Sequence, residues 1–100
     1  MLYLTQLIYV KEGKEDTFHS FEAAAIPILG QYNGLLLARL RPTDDSWIAG
    51  EYPKPYEVHI VSFNTREDFA AFAEDETRKS LLSLKESSID RTVLIEGTLL

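Results

Sequence analysis

The chain has no cysteine. That excludes a disulfide scaffold, a thiolate metal site and a cysteine nucleophile. Basic residues are also scarce: ten Lys and Arg stand against sixteen Asp and Glu, for a formal charge of −6. The basic residues are scattered, and the densest pair, Arg78-Lys79, lies beside Asp75 and Glu76. No patch is present to neutralise phosphates, so neither nucleic acid nor an anionic membrane surface is an expected partner. No run of about 18 apolar residues occurs, and no membrane span is expected. The opening Met1-Leu2-Tyr3-Leu4-Thr5-Gln6 carries no basic region ahead of an apolar stretch, so no secretory leader is expected and a cytosolic (cytoplasmic) protein is the default. The five glycines, Gly13, Gly30, Gly34, Gly50 and Gly97, match no phosphate-binding loop or dinucleotide fingerprint. No nucleophile elbow is present either. No cofactor is therefore expected.

What the chain does have is apolar material, 45% of its residues, of which the aromatics make up 11% of the chain. That is enough to fold one domain spanning residues 1–100. Leu2 to Val10 reads as a strand with both faces partly covered. After a turn at Lys11-Glu12-Gly13-Lys14, acidic Glu15 and Asp16 suit a helix start. Phe18, Phe21, Ala25, Ile28, Leu29 and Tyr32 recur at helical spacing, with Glu22 and Gln31 assigned off that stripe. Pro27 predicts a kink or the last regular turn. Asn33-Gly34 closes the helix, with Gly34 expected as the left-handed cap.

Leu35 to Arg41 reads as the second strand and Pro42 to Pro55 as a long loop, its prolines excluding a central strand. Tyr56 to Phe63 is the third strand, with Glu57, His59, Val61 and Phe63 on one face. Asn64 or Thr65 caps a helix carrying Phe69, Phe72 and Ala73, and Asn64 with Glu67 has capping-box spacing. The pattern breaks at Glu74-Asp75-Glu76, resumes through Leu81, Leu82, Lys85 and Ile89, turns at Asp90-Arg91, and ends in a strand from Thr92 to Leu100.

The order β-α-β-β-α-β predicts an α+β, ferredoxin-like fold: a four-stranded antiparallel sheet with both helices on one face. The other face should then alternate toward water, yet strand one is apolar at Tyr3, Leu7 and Tyr9 as well as at Leu4, Ile8 and Val10. Strand two places Leu35 and Leu37 on one side and Leu36, Ala38 and Leu40 on the other. A second sheet supplied by a two-fold homodimer is the expected cover.

These features resemble the dimeric α/β-barrel superfamily, in which two ferredoxin-like chains press their sheets together. Within it the sequence is most similar to domain-of-unknown-function family 1330. The likeness is carried by Ala25-Ile26-Pro27-Ile28-Leu29-Gly30-Gln31-Tyr32-Asn33-Gly34, by Gly50-Glu51, and by Ile60-Val61-Ser62-Phe63-Asn64-Thr65-Arg66-Glu67. It departs where Asn33-Gly34 stands for the usual glycine pair. The resemblance implies a pocket between sheet and helices and no particular reaction; since the superfamily includes cofactor-independent monooxygenases and isomerase-like enzymes, an enzyme of either kind is one expectation. The resemblance equally admits a non-enzymatic dimeric module with a filled core.

Candidate chemistry centres on His59, mid-strand and flanked by Val58 and Ile60, with Glu57 two residues away to fix its tautomer. Tyr9 is the second candidate acid–base group. Arg39, between Ala38 and Leu40, needs a carboxylate partner if buried, and Glu57 on the next strand is the natural one. Trp47 and Glu51 in the long loop are candidate binding residues, Trp47 to clamp a ligand or to pack on a partner chain. His19, at the edge of the first helix's apolar stripe, is a further candidate binding residue. Two histidines without HxH, HxxxH or HExxH spacing predict no metal site, and neither is singled out as a haem ligand. The expected pocket is lined by Phe18, Phe21, Phe69 and Phe72, with a small molecule as its ligand.

Overall fold

The computed structural model describes residues 1–100. Leu2–Val10 forms β1, the long apolar run expected of a central strand. A turn with Gly13 at positive φ leads into α1, Glu15–Ala25. Pro27 then enters at the start of a tighter 3₁₀ segment, Ile26–Tyr32, which replaces the last α-turns where its missing N–H would break the ladder. Asn33, rather than Gly34, takes the left-handed cap conformation at φ 58°. Asn tolerates that region because its short polar side chain bonds locally. Gly34 serves a different need. A Cβ there would lie 2.8 Å from a ring carbon of Phe63 and 3.0 Å from the Leu29 carbonyl oxygen.

Strand β2 runs Gly34–Leu40 and β3 runs Glu57–Phe63. The loop between them is tied down. Tyr9 Oη donates to the Pro53 carbonyl at 2.8 Å, and Trp47 Nε1 donates to the Tyr52 carbonyl at 2.8 Å. Helix α2, Arg66–Ala73, is capped by Thr65, whose hydroxyl accepts from the Asp68 N–H at 3.1 Å. Asp75 caps α3, Glu76–Ser80, and α4 follows at Leu82–Ser88. Strand β4 spans Ile89–Gly97. The turn expected at Asp90-Arg91 is absent; Ile89 and Arg91 already pair with Val10 and Tyr9 of β1, and Asp90 is the extra residue at the irregularity between them.

The sheet order is β2-β3-β1-β4 and every pairing is antiparallel. With the helices on one face, this is the ferredoxin-like arrangement. The Cα envelope is a slab 36 × 36 × 17 Å, the thickness of one sheet and one helical layer. Leu4, Ile8, Val61 and Phe63 point from the sheet toward Phe21, Ala25 and Leu29, and form the core. Glu22 joins them at 7% exposure. The sequence reading had placed it off the stripe, although it lies one helical turn from both Phe18 and Ala25.

Strand β2 carries one extra residue between Leu36 and Ala38. Strict alternation therefore fails there. Leu36 pairs with Val61, yet Arg39 pairs with His59, so both face the helices. Leu35, Ala38 and Leu40 belong to the opposite face, with Tyr3, Leu7, Ile60, Val93 and Ile95. Leu35, Leu37 and Ile95 there remain 62%, 49% and 53% exposed. No helix is long and apolar enough to cross a membrane.

Candidate functional site

Glu57 begins β3 facing the helices, and its side chain is only 1% exposed. A carboxylate cannot stay ionised at such a position without donors. Four reach it. Arg39 grips both oxygens, Nε to Oε1 at 2.8 Å and Nη2 to Oε2 at 3.1 Å. Arg41 Nε adds a bond to Oε2 at 2.7 Å, and His59 Nε2 one to Oε1 at 2.8 Å. Burial pushes the Glu57 carboxyl up, but the bonds from Arg39, His59 and Arg41 outweigh it and hold the pKa at about 2. The Arg39–Glu57 pair anticipated from neighbouring strands is thus present, enlarged by a second arginine and a histidine.

The ionised Glu57 fixes the tautomer of His59. Its Nε2 must carry the proton that Glu57 accepts, which leaves Nδ1 as a lone pair. Burial, together with the Arg39 charge, holds the imidazole below its ordinary pKa despite the opposing pull of Glu57. The basic nitrogen faces Glu22 of α1, with Nδ1 3.9 Å from Oε2. Glu22 makes no hydrogen bond, and its side chain is 9% exposed. Burial lifts its carboxyl from 4.5 to about 7, with Glu57 adding to the rise and Arg39, Arg78 and Lys85 opposing it.

Both groups open into a cavity of about 110 Å³ between the sheet and the helices. Leu4, Ile8, Phe21, Phe63, Phe69 and Phe72 supply apolar wall, while Gln6, Glu22, His59, Arg78, Lys85 and Thr92 supply polar atoms. Phe18, expected among the lining residues, is fully buried elsewhere, its ring edge-on to Tyr56 at 5.8 Å.

The remaining candidates lie outside this cavity. Tyr9 is spent on Pro53, with the Arg91 guanidinium over its ring at 4.5 Å. His19 stacks on Tyr56 and sits 2.6 Å from its hydroxyl, while Arg41 Nη2 donates to His19 Nε2 at 3.0 Å. It therefore touches the site only through Arg41 and Glu57. Trp47 and Glu51 line a shallow hollow in the exposed loop. Glu22, Gln6, Arg78 and Lys85 were not singled out from the sequence. The available signal was the helical period, which places Glu22 level with Phe18 and Ala25.

The fold and this cavity define a two-layer ferredoxin-like protein with a histidine and a glutamate facing one another inside it. No protein-family model matches the chain, and no curated protein matches it. Solved structures do. A protein of unknown function from Rhodopseudomonas palustris superposes with a TM-score of 0.82 at 10% identity, covering 99% of this chain and 82% of that one. A NIPSNAP family protein of unknown function from Agrobacterium tumefaciens gives 0.70 at 19% identity, covering 97% and 86%. A dimeric protein of unknown function with a ferredoxin-like fold from Bacteroides fragilis gives 0.71 at 8% identity, covering 98% and 95%. At these identities the likeness establishes the fold. None of these structures supports the expected likeness to family 1330 in particular.

Proposed function

We propose that the helix–sheet cavity is the active site of a cofactor-independent enzyme that moves a proton within a small organic molecule, an isomerase-like reaction. One observation carries this reading: Glu22 is buried beside a histidine lone pair without a hydrogen bond of its own. Its carboxyl keeps access only through the cavity, where a filled core would gain nothing from it, whereas an acid–base site needs such a group with a pKa near neutrality.

The chemistry follows from the two protonation states. His59 Nδ1 takes a proton from a carbon next to a carbonyl, breaking the C–H bond and leaving an enolate. Glu57 stabilises the imidazolium through Nε2–H, as a carboxylate does behind a catalytic histidine. Glu22, protonated, delivers its proton to the far end of the enolate. The imidazolium and the new carboxylate then stand 3.9 Å apart, and proton passage between them restores the start. In the monooxygenase-like variant the same deprotonation comes first; dioxygen, the co-substrate, adds to the carbanion, and the peroxide takes up a proton and loses water, leaving one oxygen on the carbon as a new carbonyl.

The test is deuterium incorporation. Small enolisable ketones and keto acids are incubated with the protein in D₂O and followed by NMR. Exchange that is abolished in both His59→Gln and Glu22→Gln supports the reading. Exchange no faster than in buffer across the whole panel, with the fold intact by circular dichroism, overturns it. A second reading, a non-catalytic dimeric module, is favoured by the cavity's size, since 110 Å³ is below the roughly 300 Å³ of common ligand pockets. Under the enzymatic reading, that volume sets a substrate of a few heavy atoms.

The proposal includes a homodimer closed through the open sheet face, the dimeric α/β-barrel arrangement. The exposed Leu35, Leu37 and Ile95 and the dimeric neighbour from Bacteroides fragilis support it. The likeness to family 1330 belongs to the same proposal.

A further inference from the structure

The cavity wall opposite the sheet is cationic, and its cations are unspent. Arg39 and Arg41 pair with Glu57, Lys54 with Asp44, Arg66 with Glu96 and Lys79 with Glu74. Arg78 and Lys85 reach no carboxylate at ion-pair distance, although the chain has an acidic excess. Arg78, on α3, is held over the Phe72 ring at 5.1 Å and donates from Nη1 to the Ala73 carbonyl at 3.3 Å, which leaves its other donors free. Lys85, on α4, makes no hydrogen bond. Both line the cavity that Glu22 and His59 enter from α1 and β3.

An apolar cavity bearing two unpaired cations at one wall and a neutral base at the other has a defined complement. We propose that the ligand is a small monocarboxylate with a compact apolar body, its carboxylate held by Arg78 and Lys85 and its carbon skeleton lying against Phe69 and Phe72 toward His59. This rests on the acid–base reading and names its substrate class. It also sets the state of Glu22. Its charged neighbours are Arg39 on β2, Glu57 and His59 on β3, Arg78 on α3 and Lys85 on α4. Of these, Arg39 is committed to Glu57, so an arriving carboxylate draws on the two cations that favour ionised Glu22. Glu22 then takes up a proton as the ligand binds, the form required of the acid.

The probes are isobutyrate and its neutral isostere isobutyramide, titrated into the protein and read by amide chemical shifts and calorimetry. Isobutyrate should bind with shifts confined to the cavity residues, and the amide at least about tenfold more weakly, the scale of one lost charged hydrogen bond. Lys85→Met and Arg78→Met should each weaken isobutyrate by a similar factor and leave the amide unchanged. Near about pH 8, above the value of about 7 for Glu22 in the free protein, binding should take up a fraction of a proton, seen as a dependence of the heat on buffer ionisation. Glu22→Gln should remove that uptake and tighten binding. Equal binding of acid and amide, or no binding of either at millimolar concentration, overturns the proposal. The acid–base reading is judged separately by deuterium exchange from neutral ketones.

Discussion

His59 Nδ1 and Glu22 Oε2 lie 3.9 Å apart across the seam between sheet and first helix, and neither atom has another partner. Behind the imidazole, Glu57 is saturated; in front of it, Glu22 has no bond. The asymmetry aims the one free lone pair of the imidazole at the cavity.

Glu22 costs stability where it is ionised. Its folded pKa of about 7 exceeds the ordinary 4.5, so the folded state prefers the protonated form. Its contribution is intact below the unfolded value and is lost as pH rises through the folded one. Glu22→Gln is therefore expected to raise the melting temperature at pH values above 7 and to leave it unchanged below 4.5. The gain in the alkaline limit is at most about 3 kcal/mol. Thermal melts of both proteins across that range check the sign.

Glu57 has the opposite dependence. Its pKa is lowered from 4.5 to about 2, so the stability it contributes is present above the first value and drains away as pH falls toward the second. Glu57→Gln should destabilise the protein at neutral pH by about 3 kcal/mol, because it strands Arg39 and Arg41 without their counterion. Urea titrations at neutral and acidic pH should show the two proteins converging in acid.

Gly34→Ala should cost about 1–3 kcal/mol, the usual range for overpacking. The added carbon would meet Phe63 at 2.8 Å and backbone at 3.0 Å, so the ring must move into the cavity it lines. A loss below half a kilocalorie by chemical denaturation would mean that the ring yields freely.

Light scattering should report about twice the mass of one chain at micromolar concentration, the range in which an interface of standard size holds. Leu35→Arg and Ile95→Glu, each on the exposed apolar face, should shift it toward one chain without loss of helix content. A wild-type protein that scatters as one chain removes the dimer.

Much of the fold was legible because it depends on period. The alternation through Glu57, His59, Val61 and Phe63 put the four on one face of β3 but left open which face meets the helices, because both faces are apolar; the Phe18–Phe21–Ala25 spacing gave the inner face of α1. The site was legible in part. Glu57, His59 and Arg39 share a patch that strand neighbours imply, but Glu22 was hidden by its charge, which argues for the surface until a cavity supplies a reason for burial. Lys85 was legible on the face of Leu81, Leu82 and Ile89 but carried no functional signal there, and Arg78 was hidden because α3 is short and its orientation is set by the break at Glu74-Asp75. The strict alternation read into β2 failed for a local cause, the additional residue between Leu36 and Ala38.

That additional residue governs more than one strand's outline. Were the strand to run on regularly with every residue kept, Leu37 would stand opposite Ile60, Ala38 would come beside His59, and Arg39 and Arg41 would turn to the outer surface, leaving Glu57 without either guanidinium group. Deleting Leu37 has no such effect, because Ala38 then keeps Ile60 and Arg39 keeps His59. The clamp on Glu57 thus tolerates a shorter strand and fails in a straightened one, with every participating side chain still encoded.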